Sequence, residues 1–198
     1  TTAYQFNNTE HAANLFGLKE FGNIYSRLGN PTVGALEARL TALEEGAMCV
    51  ALSSGTSAVM YSLINIMSQG DNFVTANQLY GGTYTMFDNI LPEYGIDSKK
   101  VDITDLAAVE NAIDDKTRAI YCETITNPGL VVADISALSE IAHSKGIPLI
   151  VDATFTTSAI LKPFEYGADI VVYSLTKWMS GHGRVIAGAV IEKGGFDW

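Results

Sequence analysis

The chain is poor in basic residues. Twelve Lys and Arg stand against 22 Asp and Glu, a formal net charge of −10, and the isoelectric point lies near 4.6. Nucleic-acid backbones and anionic membrane surfaces are held by basic patches, so this balance argues against both as partners. Any small anionic ligand must then be held by local donors. Cysteine is scarce as well. Cys49 and Cys122 are the only two, each inside an apolar run, which reads as buried reduced thiols and not as a disulfide framework. The three histidines, His11, His143 and His182, show no spacing with cysteine that would make a metal motif. No hydrophobic run approaches a membrane span, and the first residues carry no charged-then-apolar signal pattern, so a cytoplasmic location is the expectation. Neither G-x-x-x-x-G-K-[ST] nor a spaced G-x-G-x-x-G occurs, which leaves a nucleotide loop unsupported.

What is present is ordinary globular chemistry. Of 198 residues, 47% are apolar and 17% charged, enough for one domain with a substantial core. Residues 1–30 are polar and weakly periodic, and read as an arm. From Thr32 the chain alternates. A helix capped by Thr32 runs to about Glu45, with Leu36, Leu40 and Leu43 on one face and Gly46 as its stop. Met48 to Leu52 reads as a strand and Gly55 to Ser68 as a helix. Phe73 to Thr75 is a short strand, and Thr83 to Leu91 a helix ending near Pro92. Ile96 to Val101 is a weak strand, Thr104 caps another helix, and Ala119 to Glu123 is a strand. Asp134 opens a helix to Lys145, and strands follow at 148–152, 169–173 and 185–191. Strands alternating with helices predict a mostly parallel sheet covered on both faces, an α/β fold.

The residues that could carry chemistry cluster after the expected strands. Lys177 follows the run ending at Tyr173, with hydroxyls at Ser174 and Thr176 beside it and Gly181, His182 and Gly183 after it. Parallel sheets present ligands at such strand ends. A lysine held between apolar strands loses solvation, which favours the free amine as a nucleophile toward a carbonyl; a surface loop lysine is the plainer alternative. Asp152 ends the strand that begins at Pro148, where a carboxylate is costly unless paired or working; a magnesium ligand or a helix cap would also account for it. Ser53, Ser54, Gly55 and Thr56 join a strand to a helix, where backbone N–H groups can hold an anion or the glycine can serve turn geometry alone. Tyr80 lies between a strand and a helix, as a stacking ring or simple packing. Asn127 precedes Pro128 and could be only a turn former. Tyr25 and Arg27, two apart in a segment expected to be extended, point the same way and offer a hydroxyl and a guanidinium fork suited to phosphate, or Arg27 merely pairs with a surface acid. His143 reads as a solvated residue on the polar side of its helix, and His182 as an organiser of the loop after Lys177.

Taken together, S-x-T-K followed by G-H-G at 174–183, the segment Val151 to Phe155, and Y-x-R-x-x-N-P-T at 25–32 resemble the Cys/Met-metabolism family of pyridoxal-phosphate (PLP) enzymes. The resemblance runs from Phe21 to Trp198. The ending Gly194 to Trp198 is similar to the O-acetylhomoserine sulfhydrylase branch. The resemblance implies an aspartate-aminotransferase-like fold (PLP fold type I). It divides the chain into an arm, 1–31, and a PLP-binding large domain, 32–198. In the family a smaller C-terminal domain follows, which these residues do not include. Lys177 would hold PLP covalently and shuttle protons, and Asp152 would pair with the ring nitrogen. Gly55 and Thr56 would donate N–H groups to the phosphate, helped by Ser174 and Thr176. Tyr80 would stack on the ring and take part in proton transfer, and Asn127 would lie near its phenolic oxygen. Tyr25 and Arg27 would reach into a neighbouring subunit's site, making a homodimer the catalytic unit, usually paired into a tetramer. The implied reaction is γ-replacement on O-acetylhomoserine by a sulfur nucleophile; a γ- or β-lyase is the rival, and a non-catalytic anion-binding α/β module a second. The chain departs from the family pattern at Ala153, where asparagine is common. Gly82, where methionine γ-lyases commonly carry cysteine, leans toward the sulfhydrylase.

Overall fold

The computed structural model of the chain describes residues 1–196. Among these residues seven strands form one sheet in the order β1-β7-β6-β5-β4-β2-β3. They are β1 (Met48–Leu52), β2 (Asn72–Ala76), β3 (Asp97–Val101), β4 (Thr117–Glu123), β5 (Leu149–Asp152), β6 (Ile170–Ser174) and β7 (Gly188–Glu192). Only β7 runs antiparallel to its neighbours, β1 and β6; the other pairings are parallel. The mostly parallel sheet expected from the alternating pattern is therefore present. Strands β2, β4 and β6 bury almost every residue, as a sheet covered on both faces must. Tyr121, Tyr173, Phe73 and Phe87 lie fully buried in one continuous core. Phe87 packs edge-on against both Phe73 and Tyr121, with ring centroids 4.7 and 5.2 Å apart.

The helices are α1 (Thr9–Phe16), α2 (Pro31–Glu44), α3 (Gly55–Ile64), α4 (Gly81–Thr85), α5 (Leu106–Ala112), α6 (Ile135–Ser144) and α7 (Thr157–Ile160). Helix α6 shows the local logic clearly. Asp134 caps it by accepting from the Ala137 N–H at 3.1 Å, and Ile135, Leu138, Ser139 and Ala142 bury one face. Gly146, with φ of +70°, ends the turn that follows.

Several boundaries differ from the sequence reading. Asn30, not Thr32, caps α2, accepting from the N–H groups of Thr32 at 2.9 Å and Val33 at 3.4 Å, and Pro31 takes the first helical position, where a missing N–H costs nothing. Asp105, not Thr104, caps α5, because the Thr104 hydroxyl is spent on Asp102 at 2.7 Å. Helix α3 stops short of Ser68, whose N–H is taken by the Asp71 carboxylate at 2.8 Å in a turn that competes with the helix. Helical structure after α4 does not end at Pro92. It continues as a wider turn, Met86–Ile90, and a tight one, Leu91–Tyr94, in whose first turn Pro92 is accommodated. The arm contains a helix, α1, capped by Asn8, and Tyr25 pairs with Ala3. His143 is not simply solvated: its Nε2 lies 2.8 Å from the Asp169 carboxylate. Both cysteines are free and buried, as expected.

Candidate active site

The carboxyl ends of β2, β4, β5 and β6 converge on a cavity of about 240 Å³. Parallel sheets bind ligands at this edge, outside the carboxyl ends of their strands. A wider groove of about 740 Å³ opens beside Thr117 and Pro148, where β4 and β5 begin, and holds none of the expected residues. Eight of the ten do line the smaller cavity: Gly55, Thr56, Tyr80, Asn127, Asp152, Ser174, Thr176 and Lys177.

One wall is the start of α3. Ser54 caps the helix by accepting from the Ser57 N–H at 3.0 Å. A Cβ on Gly55 would lie 2.4 Å from the Cβ of Ser174 and 2.8 Å from its Cα. A Cβ on Gly188 would lie 2.1 Å from the Ser54 carbonyl oxygen. The two glycines therefore let the helix start press against β6 and β7, bringing free N–H groups to the cavity beside the Ser174 side chain. The Thr176 hydroxyl is already engaged: it donates to the Ala187 carbonyl at 3.2 Å and accepts from the Ala187 N–H at 3.1 Å, tying the Lys177 turn to the return chain. His182 holds the same turn, its Nδ1 2.8 Å from the Ser180 carbonyl oxygen.

The floor is β4 and β5. Glu123 and Asp152 are register partners on these strands. One Asp152 oxygen accepts from the Thr154 N–H at 2.9 Å, and the other accepts from the Tyr121 hydroxyl at 3.3 Å. Burial pushes the Asp152 carboxyl above its ordinary range, only partly offset by these bonds. A carboxylate so placed favours a cationic partner in the cavity. Glu123 is pushed up to about 7, again by burial first, with Asp152 adding to it. Ala153 is fully buried; asparagine there would need partners for its amide.

The opposite wall is Tyr80, half-exposed at the start of α4. A Cβ on Gly82 would lie 2.7 Å from the Tyr80 ring, so glycine at this position leaves the ring its space. Lys177 also lines the cavity, but it is exposed and not held between apolar strands as expected. It sits in a turn outside the sheet: its own N–H bonds to the Ser174 carbonyl at 3.2 Å, and the Ser180 N–H bonds to the Leu175 carbonyl at 3.1 Å.

Tyr25 and Arg27 do not line the cavity. They do face the same way, with the guanidinium carbon 5.4 Å from the Tyr25 ring centroid. The segment is less extended than expected, because the N–H groups of Leu28 and Gly29 both bond to the Tyr25 carbonyl in a turn. Sequence reasoning missed Tyr121, Thr154 and the role of Glu123, whose significance depends on the β4–β5 register.

The Cys/Met metabolism PLP-dependent enzyme model matches residues 1–198. The chain belongs to this family. It is 48% identical to the O-acetyl-L-homoserine sulfhydrylase of Leptospira meyeri over 198 residues, all of this chain and 45% of that protein. A protein of Campylobacter jejuni described as an O-acetylhomoserine (thiol)-lyase superposes with a TM-score of 0.93 at 44% identity, covering 98% of this chain and 48% of that one. Its structure carries N'-pyridoxyl-lysine-5'-monophosphate. The cystathionine γ-lyase of Lactobacillus plantarum, complexed with L-serine, superposes with a TM-score of 0.88 at 37% identity, covering 98% and 48%. The fold is thus that of PLP fold type I, and the chain spans about half the length of the relatives it matches. The ending compared earlier with sulfhydrylases includes Asp197 and Trp198, which lie outside the described residues. Among the described residues, no helix is long and apolar enough to cross a membrane.

The residues present fit pyridoxal phosphate. A helix start opened by Gly55 suits the phosphate, the desolvated Asp152 suits a cationic ring nitrogen, and the amine of Lys177 suits the aldehyde.

Proposed function

We propose that the protein of which these residues form the cofactor domain catalyses γ-replacement on O-acetylhomoserine, installing a sulfur nucleophile where acetate leaves. The observation that carries the reading is the single cavity that gathers Lys177, Asp152 and the start of α3, in a chain 48% identical to an O-acetyl-L-homoserine sulfhydrylase. When bound, pyridoxal phosphate supplies an electron sink for charge developing at the substrate's α-carbon. Lys177 tethers the cofactor, and its released amine moves protons at Cα and Cβ. Those transfers let acetate depart from Cγ and a sulfur nucleophile take its place. Asp152 holds the ring nitrogen in its cationic form, positioned by Tyr121 and Thr154. The N–H groups of Gly55 and Thr56, with Ser174, hold the phosphate in a stretch of chain whose net charge of −10 offers it no general attraction. Tyr80 would stack on the ring, and Asn127 would lie near its phenolic oxygen; both line the cavity. Thr176 contributes mainly by fixing the Lys177 turn.

Tyr25 and Arg27 serve the site of a second subunit, so a homodimer is the working unit, with pairing into a tetramer. Their exposure away from the cavity supports this reading. The rival is a γ- or β-lyase, favoured by the likeness to a cystathionine γ-lyase; Gly82, where methionine γ-lyases commonly carry cysteine, leans away from that lyase type alone. Product analysis separates them. Incubation of the full protein with O-acetylhomoserine and sulfide should give homocysteine and acetate. Keto acid and ammonia as the main products would establish the lyase instead.

A further inference from the structure

Glu123 has no role in the chemistry above, yet its carboxylate is buried beneath the cavity, with only 6% of the residue exposed. One of its oxygens accepts from the Tyr80 N–H at 2.7 Å, and the other accepts from the Asn127 N–H at 3.0 Å. Tyr80 belongs to the loop that leaves β2 and starts α4, and it has no side-chain cap of its own. Asn127 belongs to the loop that leaves β4. The two loops leave neighbouring strands, both line the cavity, and their residues lie 47 apart in sequence, so one carboxylate joins two segments beyond the last paired residues of β2 and β4, Thr75 and Tyr121. A charged acceptor bonds two N–H donors more strongly than a neutral one. No helix or strand ladder supplies either N–H with this partner.

We propose that Glu123 is a positioning residue: its carboxylate clamps the Tyr80 loop to the Asn127 loop and thereby fixes the part of the cavity wall that these two residues form. Its consequence for catalysis rests on the functional reading given above; the clamp itself does not. The clamp is pH-sensitive. The Glu123 carboxyl is pushed up to about 7 by burial and by Asp152, so protonation near neutrality converts one accepting oxygen into a hydroxyl that faces an N–H. The groups that face it are Asp152 on β5, Tyr121 and Cys122 on β4, Tyr80 and Thr83 from the α4 side, and Lys177 across the cavity.

The test is amide hydrogen exchange, resolved to single residues, in the protein without cofactor and again with pyridoxal phosphate. In the wild type, protection at Tyr80 and Asn127, corrected for intrinsic exchange, should drop several-fold between pH 8 and pH 6. In Glu123→Gln one of the two acceptors becomes a donor, and in Glu123→Ala both are gone. Exchange at one amide in the first variant and at both in the second should rise tenfold or more, while Ile120 and Val151 in the sheet stay protected. Cofactor dissociation should rise at least several-fold in both variants, with the visible absorption maximum shifted. Unchanged protection at both amides in Glu123→Ala would overturn the clamp, as would loss of protection across β4 and β5 together, the mark of a merely structural residue. Unchanged cofactor affinity and absorption despite the exposed amides would overturn its positioning role. A wild type that shows the exchange pattern but never binds pyridoxal phosphate would leave the clamp standing and defeat the proposed function instead.

Discussion

The Tyr121 hydroxyl donates to Asp152 across 3.3 Å from beneath the cavity floor. Tyr121 is fully buried, wedged against Phe87, and its hydroxyl is held far from ionisation chiefly by that burial and by Asp152. It is therefore a permanent donor. The bond lowers the Asp152 carboxyl, which burial otherwise raises. Tyr121→Phe should cost about 1 kcal/mol of stability and raise the Asp152 carboxyl further. Pyridoxal phosphate binding should weaken, and more so at pH 6 than at pH 8, because a larger fraction of Asp152 is then protonated. Titration of the cofactor at both pH values checks this, and equal weakening at the two would contradict it.

Asp152→Asn keeps the shape but removes the charge. It should bind pyridoxal phosphate more weakly and lose most turnover, while Asp152→Glu retains some. Near-normal turnover in the asparagine variant would rule out the ring-nitrogen role.

Glu123 gives a pH window for stability. Its carboxyl ionises near 4.5 in an unfolded chain and at about 7 in the folded one. Between these values the folded state binds more protons, so the contribution of Glu123 is fully favourable below pH 4.5 and is lost as pH rises toward 7 and beyond. The loss is roughly 3 kcal/mol at most. Urea unfolding at pH 5 and pH 7.5 should show a smaller fall in Glu123→Gln than in the wild type. Equal falls would contradict the assignment.

Gly188→Ala sets a methyl 2.1 Å from the Ser54 carbonyl oxygen, and Gly55→Ala sets one 2.4 Å from the Ser174 Cβ. Backbone cannot yield as a side chain can. Gly188→Ala should lose roughly 2–3 kcal/mol and Gly55→Ala somewhat less, and both should weaken phosphate and cofactor binding. Thermal unfolding and inorganic-phosphate competition measure the two effects.

The shared-site reading predicts complementation. Full-length Arg27→Ala and Lys177→Ala proteins should each be nearly inactive, and co-refolding should restore an appreciable fraction of activity. In mixed dimers one site then has an intact Lys177 and the partner's intact Arg27. No recovery, with mixed dimers shown to have formed, would place Arg27 in its own chain's site.

Much of the site was legible because its residues sit where local signals change. Lys177, Asp152, Gly55 and Tyr80 each follow a run of strand-forming residues, and a parallel sheet delivers such positions to one edge. What local pattern cannot reveal is register. Tyr121 reads as one more core aromatic until β4 and β5 align and bring its hydroxyl to Asp152. Glu123 reads as a strand terminus until the loops of Tyr80 and Asn127 close on it. The same limit hid the His143–Asp169 pair, which joins residues 26 apart in sequence. Short-range competition explains the shifted caps: Asn30 and Asp105 each lie beside a plausible Thr, and only the geometry decides which oxygen meets the free N–H groups. Lys177 was expected between apolar strands, but the turn that carries it leaves it exposed at the cavity.

On the proposed function, Lys177 holds pyridoxal phosphate in this cavity. Incubation with pyridoxal phosphate, reduction with borohydride and peptide mass mapping test it directly. A reduced pyridoxyl phosphate group is expected on the peptide containing Lys177, with no adduct and no visible cofactor band in a folded Lys177→Ala protein. A stable adduct on another lysine, such as Lys162 or Lys193, or none in the wild type, would contradict it.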